Sequence, residues 1–447
     1  MAVARRTIEP VPAFEAAFAQ ARERLPGAKL PALADWRQAS FARFREQGIP
    51  TNRVEAWKYT NVARVVNVPM GLAPKVQVRL DDLAPYLAGG PKARRMIFVN
   101  GHVVPELCHI ESLPAGLRIT SLGKVLEAEP EKVTAILRAT AEDDRSFTAL
   151  NAAFAGSGAW IEVDDGVEVV EPLQLLFLTV GRPEPFMTHP RNVVRLGKGA
   201  KLRLIETHAG SGEGQSLTNL VTQIELGPDS ALEQDRVELL NDGASHIGKA
   251  YVRLADRARL VQTVATLGGG LVRNETEARL DGSNIECLLN GLYLACGKEH
   301  VDNLIRVHHE KPASHSDQFY KGVIADRAHA AFAGKIIVHK DAQKTNGYQK
   351  NDNLLLSDDA EIDTKPELEI YADDVKCSHG ATSGNLDPVA LFYLRSRGLE
   401  RETAESLLTF AFAAEVIERF SDETVRRQVR RVALSRLPGG AALGDLA

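Results

Sequence analysis

The stretch Asp229-Ser230-Ala231-Leu232 is one copy of a short pattern that recurs along the middle of the chain: a turn residue, a small residue and then an aliphatic one. Its copies are spaced by roughly 25–32 residues, apart from one gap near 45 that we expect to hide a further copy. The other copies begin at Gly199, Asp256, Gly282, Asp326 and Asp359. A weak repeat of this length predicts a solenoid, because one coil cannot bury its apolar face alone and stacked coils can.

The residues around this repeat favour β-strands. From about Ala159, helical periodicity gives way to short alternating runs, such as Val193–Leu196 and Leu202–Ile205, that are bounded by Gly, Asp, Asn or Ser. Side chains on a strand alternate in direction, so each coil can turn every second residue toward a shared core. A large β-sandwich or barrel is the alternative, but neither of these folds requires the recurring unit to resemble itself.

Helices are predicted before the repeat. Apolar residues at helical spacing mark two of them, namely Phe14, Phe18, Ala21, Trp36, Phe41 and Phe44. Gly48 followed by Pro50 predicts the end of the second helix. Helical segments also run from about Leu126 to Leu150, and Asn100-Gly101 predicts the tight turn of a β-hairpin.

Helices are also predicted after about Asn385. Asp387 suits an N-cap, Pro388 fits the first helical turn, and Gly398 ends that helix. Two more helices follow, and we expect the arginines between 426 and 436 to form a solvated helix face. We therefore divide the chain into a helical and mixed N-terminal region (1–155), a solenoid core (156–384), a C-terminal helical region (385–436) and a disordered tail (437–447).

Composition excludes several classes of protein. The chain has 447 residues, of which 44% are hydrophobic, and its net charge of −5 argues against a nucleic-acid partner or an anionic membrane surface. No run of about 20 apolar residues exists, and the first residues do not resemble a secretory signal. The four scattered cysteines predict free thiols in a reducing cytoplasm.

Common catalytic motifs are absent from the sequence. It contains no G-x-x-x-x-G-K-[ST] phosphate loop, no HExxH helix and no G-x-S-x-G elbow. The glycines at 268–270 lack the strand-then-helix context of a dinucleotide site. The chain is therefore not expected to be a self-contained enzyme.

Cys377 and His379 form a candidate pair of metal ligands. Residues two apart on an extended segment point to the same side, which would bring a thiolate and an imidazole toward one iron or zinc ion. A structural metal site needs about four ligands, so other segments or a second subunit would have to supply the rest. A buried cysteine beside a hydrogen-bonded histidine is the alternative.

Other polar groups favour structural roles. His308 and His309 are neighbours that would face opposite ways on a strand, so we expect a turn with surface histidines there, together with His315. The polar residues from Gln343 to Asn353 are expected to stack as ladders inside the solenoid or at its turns. Cys287 and Cys296 are expected on core strands as small buried thiols rather than as a sulfur relay.

Several long segments resemble the SufB/SufD family of iron–sulfur cluster assembly proteins. The segments are Arg53–Thr60, Leu354–Ser357, Pro366–Ile370, Asp373–Thr382 and Leu391–Gly398. The resemblance therefore covers nearly the whole chain. The Trp57–Thr60 stretch and the form Cys377-Ser378-His379-Gly380 resemble the SufD branch more than the SufB branch, which carries a Glu-His-Glu version.

The resemblance implies a right-handed parallel β-helix flanked by helical regions, and a non-catalytic scaffold role. It implies pairing with a SufB-like subunit through the β-helix and binding of a SufC-like ATPase through the C-terminal helices. It also places His379, with Cys377 nearby, at the SufB interface, where iron or a nascent cluster would be held transiently and shared with SufB. No tightly bound cofactor is implied for the isolated chain, which could form a homodimer when alone.

Two other functions are weighed. A carbohydrate-active β-helix enzyme, a lyase or hydrolase, would need paired carboxylates on one face of the coils, and no clear acidic pair recurs. A SufB-type subunit that builds clusters itself is the second alternative.

Overall fold

The computed structural model describes residues 7–8, 12–138, 145–437, 440 and 443–444, so the tail predicted at 437–447 lies mostly outside the described residues. The helices are α1 (Pro12–Ala21), α2 (Pro31–Gln47), α3 (Ala63–Val66), α4 (Leu80–Leu83), α5 (Leu122–Ala128), α6 (Pro130–Arg138), α7 (Ser146–Ala153), α8 (Pro388–Ser396), α9 (Arg401–Ile417) and α10 (Glu423–Arg436). Short 3-10 turns lie at Glu55–Trp57, Ala84–Tyr86 and Pro105–Leu107.

The strands alternate between two sheets along most of the chain. They are β1 (Thr7–Ile8), β2 (Ile49–Pro50), β3 (Gly71–Leu72), β4 (Arg94–Val99), β5 (His102–Val103), β6 (Leu117–Ser121), β7 (Ala159–Val163), β8 (Leu173–Val180), β9 (Phe186–Thr188), β10 (Arg191–Leu196), β11 (Lys201–Ser211), β12 (Ser216–Leu226), β13 (Ala231–Leu239), β14 (Ala244–Leu254), β15 (Arg259–Thr266), β16 (Leu271–Leu280), β17 (Glu286–Ala295), β18 (His300–His309), β19 (His315–Ile324), β20 (His329–Val338), β21 (Thr345–Leu355), β22 (Glu361–Ile370) and β23 (Val375–Gly384).

The core is a parallel β-helix, which confirms the predicted solenoid. The even-numbered strands from β10 to β22 form one parallel sheet that begins with β7, and the odd-numbered strands from β11 to β23 form a second that begins with β4 and β8. Each coil therefore gives one strand to each sheet. The described part of the chain also has helices before and after this core, as the sequence predicts.

The recurring turn is a left-handed residue placed two positions before a strand. Asp229, Arg257 and Asn284 have φ values of 60°, 57° and 58° and precede β13, β15 and β17. Asp and Asn tolerate this conformation better than most residues because their short side chains bond locally. Ala313, with φ of 63°, holds the same place before β19, so the copy expected in the long gap is present.

Two copies of the pattern mark a different corner of the coil. Asp326 and Asp359 precede β20 and β22, which belong to the other sheet. The copies of the sequence pattern therefore belong to two kinds of turn, which the sequence alone did not distinguish. The two kinds of turn resemble each other because each reverses the direction of the chain. Each is also followed by a strand that begins with an inward-facing aliphatic residue.

An aliphatic ladder runs through the interior along one sheet. Its rungs are register partners on successive strands, namely Leu196, Leu226, Leu254, Leu280, His309, Val338 and Ile370. The four leucines are at most 3% exposed. Burying each such side chain contributes about 1.5–3 kcal/mol, so the ladder ties neighbouring coils together.

The coils also enclose a charged cluster. Arg236 and Glu238 on β13 form an ion pair of 2.6 Å, and Glu206 and His208 on β11 are 2.7 Å apart. Thr266 donates a further hydrogen bond to Glu238 at 2.6 Å. These groups are almost fully buried, and each carboxylate has a charged or polar partner, which offsets the cost of removing it from water.

The predicted helix boundaries hold at both ends of the chain. The amide of Gly48 donates to the carbonyl of Phe44 at 2.9 Å, which ends α2. Asp387 caps α8 by accepting from the amide of Val389 at 2.9 Å. The turn at Asn100-Gly101 joins the antiparallel strands β4 and β5, so the predicted hairpin is present. No helix among the described residues is long and apolar enough to cross a membrane.

Helices α9 and α10 pack on the outer face of the sheet that contains β13, β15 and β17. Their buried side chains Val416 and Val429 join Phe319 in one apolar cluster. Arg430 pairs with Glu418 on the surface, as expected for a solvated face. The prediction is wrong for Arg436, which bonds to the buried Glu299 at 2.6 Å and lines a cleft instead of a solvated face.

Candidate functional site

The last coil, formed by β22 and β23, is open on one side. Among the described residues β22 pairs only with β20, and β23 pairs only with β21. Each free edge presents a row of backbone amide and carbonyl groups without strand partners. Both sheets of the β-helix therefore end here with edges that another chain could extend.

The inward face of this coil is only half covered. Ile370 is the final rung of the aliphatic ladder, and it is 40% exposed, whereas Val338 one coil earlier is fully buried. Tyr371 beside it is 62% exposed. A position that forms core elsewhere in the molecule is thus a surface position at this end.

Cys377 and His379 lie on β23 and share its inward face. Their register partners on β21 are Gly347 and Gln349. Cys377 is half-buried and packs with Ile336, whose coil lies directly beneath. A side-chain carbon on Gly347 would lie 3.3 Å from the Cys377 sulfur, so the glycine makes room for the thiol. His379, one step closer to the free end of the strand, is exposed.

The thiol of Cys377 is not activated in the isolated chain. Burial raises its pKa, although a backbone hydrogen bond at Gly347 opposes the shift. Because the thiolate is the form that binds metals, an incoming cation has to displace the proton.

Two buried glutamines lie beneath His379. Gln318, Gln349 and His379 are register partners on three successive coils. Both glutamines are at most 3% exposed, and neither amide oxygen nor amide nitrogen has a hydrogen-bond partner among the described residues. The stacking of these three side chains could not be predicted from the sequence, because it appears only when residues one coil apart, such as 318 and 349, are aligned.

The pair is incomplete as a metal site within the described part of the chain. No third His, Cys, Asp or Glu there gathers with Cys377 and His379 into a group of ligand atoms. Two ligands leave at least two coordination positions to be filled. The free edges on the same coil offer a surface from which a second chain could fill them.

The structure separates the other predicted histidines. His309 is buried inside the coil, where its Nε2 lies 2.8 Å from the hydroxyl of Ser316, whereas His308 faces outward. They do face opposite ways, but the predicted turn is wrong, since both belong to β18. His315 begins β19 and lies near Tyr348, with ring centres 5.9 Å apart.

Part of the polar run from 343 to 353 is hydrogen-bonded inside the β-helix or at a turn, as predicted, whereas Gln349 has no partner among the described residues. The amide of Asn353 donates to Asn351 at 2.8 Å, and Asn351 donates to the hydroxyl of Tyr293 at 3.0 Å. Gln343 lies at a turn and accepts from the amide of Asp374 at 2.9 Å. These residues stabilise the coil beneath the last one.

The two remaining cysteines of the core region differ. Cys287 is fully buried in the core on β17, as predicted. Cys296 is not on a strand but in the turn after β17, where its amide donates to Glu299 at 2.8 Å. It lines a surface cleft of about 680 Å³ together with Arg436. The prediction of a core position is therefore wrong for Cys296.

Helix α8 follows the last coil and carries an exposed apolar surface. None of its residues is buried. Val389 is 72% exposed, Phe392 is 73% exposed and Tyr393 is 55% exposed. Apolar surface of this extent next to an open coil is typical of a protein interface.

Comparison with known proteins identifies the family of the chain. Residues 178–412 match the model of the SUF system FeS cluster assembly SufBD core domain, and residues 12–175 match the model of the SufBD protein N-terminal region. The chain therefore belongs to the SufBD family of iron–sulfur cluster assembly proteins. This confirms the resemblance drawn from the sequence motifs.

Curated relatives agree with the SufD branch. The chain is 33% identical to the iron–sulfur cluster assembly protein SufD of Escherichia coli over 90% of this chain and 93% of that protein. It is 28% identical to a SufBD family protein of Synechocystis over 89% of this chain and 90% of that one. SufD of Bacillus subtilis is 25% identical over 64% of this chain and 66% of its own length.

Proposed function

We propose that the chain is the SufD-type scaffold subunit of a SufBCD-type complex. In this role it pairs through the last coil of its β-helix with a SufB-like subunit, and nascent clusters are built at that junction. The observation that carries the proposal is the open last coil, which combines two free strand edges with an inward ligand pair.

The free edges support pairing with a chain of the same architecture. A partner that also ends in an open coil can extend both sheets at once and cover Ile370. Since the two edges are equally available to a second copy, the chain alone can form a homodimer that imitates the heterodimer.

His379 and Cys377 are proposed to hold iron or a nascent cluster at this junction, with the SufB-like subunit supplying the remaining ligands. The cargo is transient and shared, so the isolated chain keeps no tightly bound cofactor. Exposure of His379 favours an entry role for iron, because the imidazole is accessible before the deeper, protonated thiol of Cys377.

The C-terminal helical region is proposed to bind a SufC-like ATPase, which would supply all ATP hydrolysis. The exposed apolar residues of α8 support this assignment, because a helix in water rarely leaves Phe392 and Val389 uncovered without a partner. The exchange Phe392→Asp should abolish co-purification of the ATPase. The matched control is Leu80→Asp on α4, where an apolar side chain is 55% exposed far along the sequence from α8.

The names of the relatives weigh against both alternatives. A carbohydrate-active enzyme has no support from relatives that are named as cluster assembly proteins. The SufD names of two relatives favour the SufD role over a SufB-type role. Four free cysteines in the chain fit a complex that works in the reducing cytoplasm.

The test of the site is His379→Ala in the native complex. We expect the complex to co-purify intact, with cluster formation under anaerobic reconstitution reduced at least severalfold and with less iron bound. Ser378→Ala is the matched control, since residue 378 lies on the same strand and faces the opposite way. Unchanged cluster yield in His379→Ala would make the site assignment wrong, even if the complex itself were present.

A further inference from the structure

A second group of ligand-type side chains lies on the outer surface of the β-helix, on the two coils that precede the last one. His308 is next to last in β18, Glu310 follows that strand, and His339 follows β20 on the next coil. The amide of His339 donates to the carbonyl of His309 at 3.0 Å, which fixes the backbone at the point where the two coils meet. One coil length of 31 residues separates the two histidines.

The three side chains converge at distances that suit a cation. His308 Nδ1 lies 3.5 Å from His339 Nε2, and the latter lies 3.4 Å from Glu310 Oε1. Ligand atoms of all three residues lie within 4.8 Å of one another. Two nitrogens bound at about 2.05 Å to a tetrahedral Zn²⁺ would be about 3.4 Å apart, so only small side-chain shifts are needed.

The proton count at this cluster also favours a cation. His339 Nε2 faces both His308 Nδ1 and Glu310 Oε1, and it can carry only one proton. If His308 Nδ1–H donates to His339 Nε2, the oxygen of Glu310 faces that nitrogen with no proton between them. If His339 Nε2–H donates to Glu310 instead, the lone pair of His308 Nδ1 is left without that proton. A cation between the three atoms would accept all of these lone pairs at once.

We propose that His308, Glu310 and His339 bind a divalent cation of the Fe²⁺, Co²⁺ and Zn²⁺ class. Two imidazoles and one carboxylate are the donor set these ions prefer, whereas Mg²⁺ and Ca²⁺ prefer oxygen alone. Three protein ligands leave room for water or a passing ligand. This site is independent of the proposed role of Cys377 and His379.

Arg279 sets a limit on the affinity. Its guanidinium lies 3.4 Å from Glu310 Oε1 and 3.8 Å from a carboxylate oxygen of Glu277. A cation at the cluster would compete with Arg279 for Glu310, so binding should be reversible. Arg279→Gln is therefore expected to tighten binding severalfold.

The test is a titration of the full chain with Co²⁺, in a Cys377→Ser/His379→Ala background that removes the other candidate site. We expect visible cobalt absorption that saturates near one equivalent. His339→Ala and Glu310→Gln should each weaken binding at least tenfold, and because His339 is 41% exposed its removal should not disturb folding. His315→Ala, which removes a histidine outside the cluster, should bind Co²⁺ like the parent.

Three results would overturn the proposal. They are the absence of saturable Co²⁺ binding in the folded parent, equal affinity in His339→Ala and the parent, and a thiolate-to-cobalt absorption band that accounts for all the bound metal. Circular dichroism of each variant confirms that the fold is kept. Because the Cys377 and His379 site is absent from the background, failure here leaves the proposed scaffold role standing.

Discussion

The central coils and the last coil are built from the same repeat but differ in what covers them. Leu280 in a central coil and Ile370 in the last coil are rungs of one ladder, yet the first is fully buried and the second is 40% exposed. Central strands are paired on both sides, whereas β22 and β23 are paired on one. The central coils therefore contribute most of the free energy of unfolding. The last coil leaves its core positions exposed, where a partner could cover them.

The strongest contrast in stability should come from the buried charges. Glu238→Ala leaves Arg236 inside the β-helix without its carboxylate partner, which should cost about 3–5 kcal/mol in the free energy of unfolding. His379→Ala in the last coil should change that free energy by less than about 0.5 kcal/mol, as for a typical surface exchange. Chemical denaturation of both variants measures the difference, and similar losses would contradict the contrast.

The aliphatic ladder gives a test within one set of register partners. Leu280→Ala should cost about 2–5 kcal/mol, because it leaves a cavity between neighbouring coils. Ile370→Ala should cost less than half as much, since water already reaches its side chain. If the two losses were equal in the isolated chain, the last coil would have to be covered in solution, as in a homodimer.

A buried histidine near the start of the β-helix should make the fold sensitive to acid. Burial lowers the pKa of His189 to about 3, so its ring stays neutral in the folded chain and takes up a proton more readily when unfolded. Its stabilising contribution is present above pH 6.5 and is lost as the pH falls toward 3. At pH 5 the loss should be about 2 kcal/mol. His189→Gln should reduce the fall in unfolding free energy between pH 7.5 and pH 5, as measured by chemical denaturation at both pH values. A fall equal to that of the wild-type chain would contradict this prediction.

A negative charge at Ile370, the exposed end of the aliphatic ladder, should weaken association with the SufB-like subunit and leave folding unchanged. Ile370→Asp is expected to weaken binding of the SufB-like subunit at least tenfold, about 1.4 kcal/mol, because a carboxylate would be buried at the junction. Val170→Asp is the control, since Val170 is 67% exposed near the start of the β-helix. Equal binding by Ile370→Asp and the wild-type chain would exclude this face from the interface.

The sequence predicted the fold because local rules decide much of it. The turn at Asn100-Gly101, the cap at Asp387 and the left-handed residues before the strands depend on neighbours within a few positions. The repeat then predicted that the coils stack, although it could not distinguish the two kinds of turn at the corners of each coil. Cys296 was misplaced because a strand end shifted by one residue moves a side chain from the core to a cleft.

The site was only partly predictable, for a topological reason. Cys377 and His379 are two apart, so strand alternation alone puts them on one face. Gln349 lies beneath His379 and His339 lies beside His308 only because the coils stack in a particular register, with a spacing that varies from coil to coil. A search for chemically matched residues one coil apart would have found both pairs once the register was known.

Amide hydrogen exchange can show whether a partner covers the last coil, when the chain alone is compared with the chain bound to a SufB-like subunit. Amides of Glu361–Ile370 and Val375–Gly384 should exchange quickly in the monomeric chain, diluted below the concentration at which a homodimer forms, and slow at least tenfold in the complex, as the free edges gain strand partners. The central strand Ala244–Leu254 should be protected equally in both. If the last two strands kept their fast exchange in the complex while protection appeared elsewhere, the last coil would not be the interface.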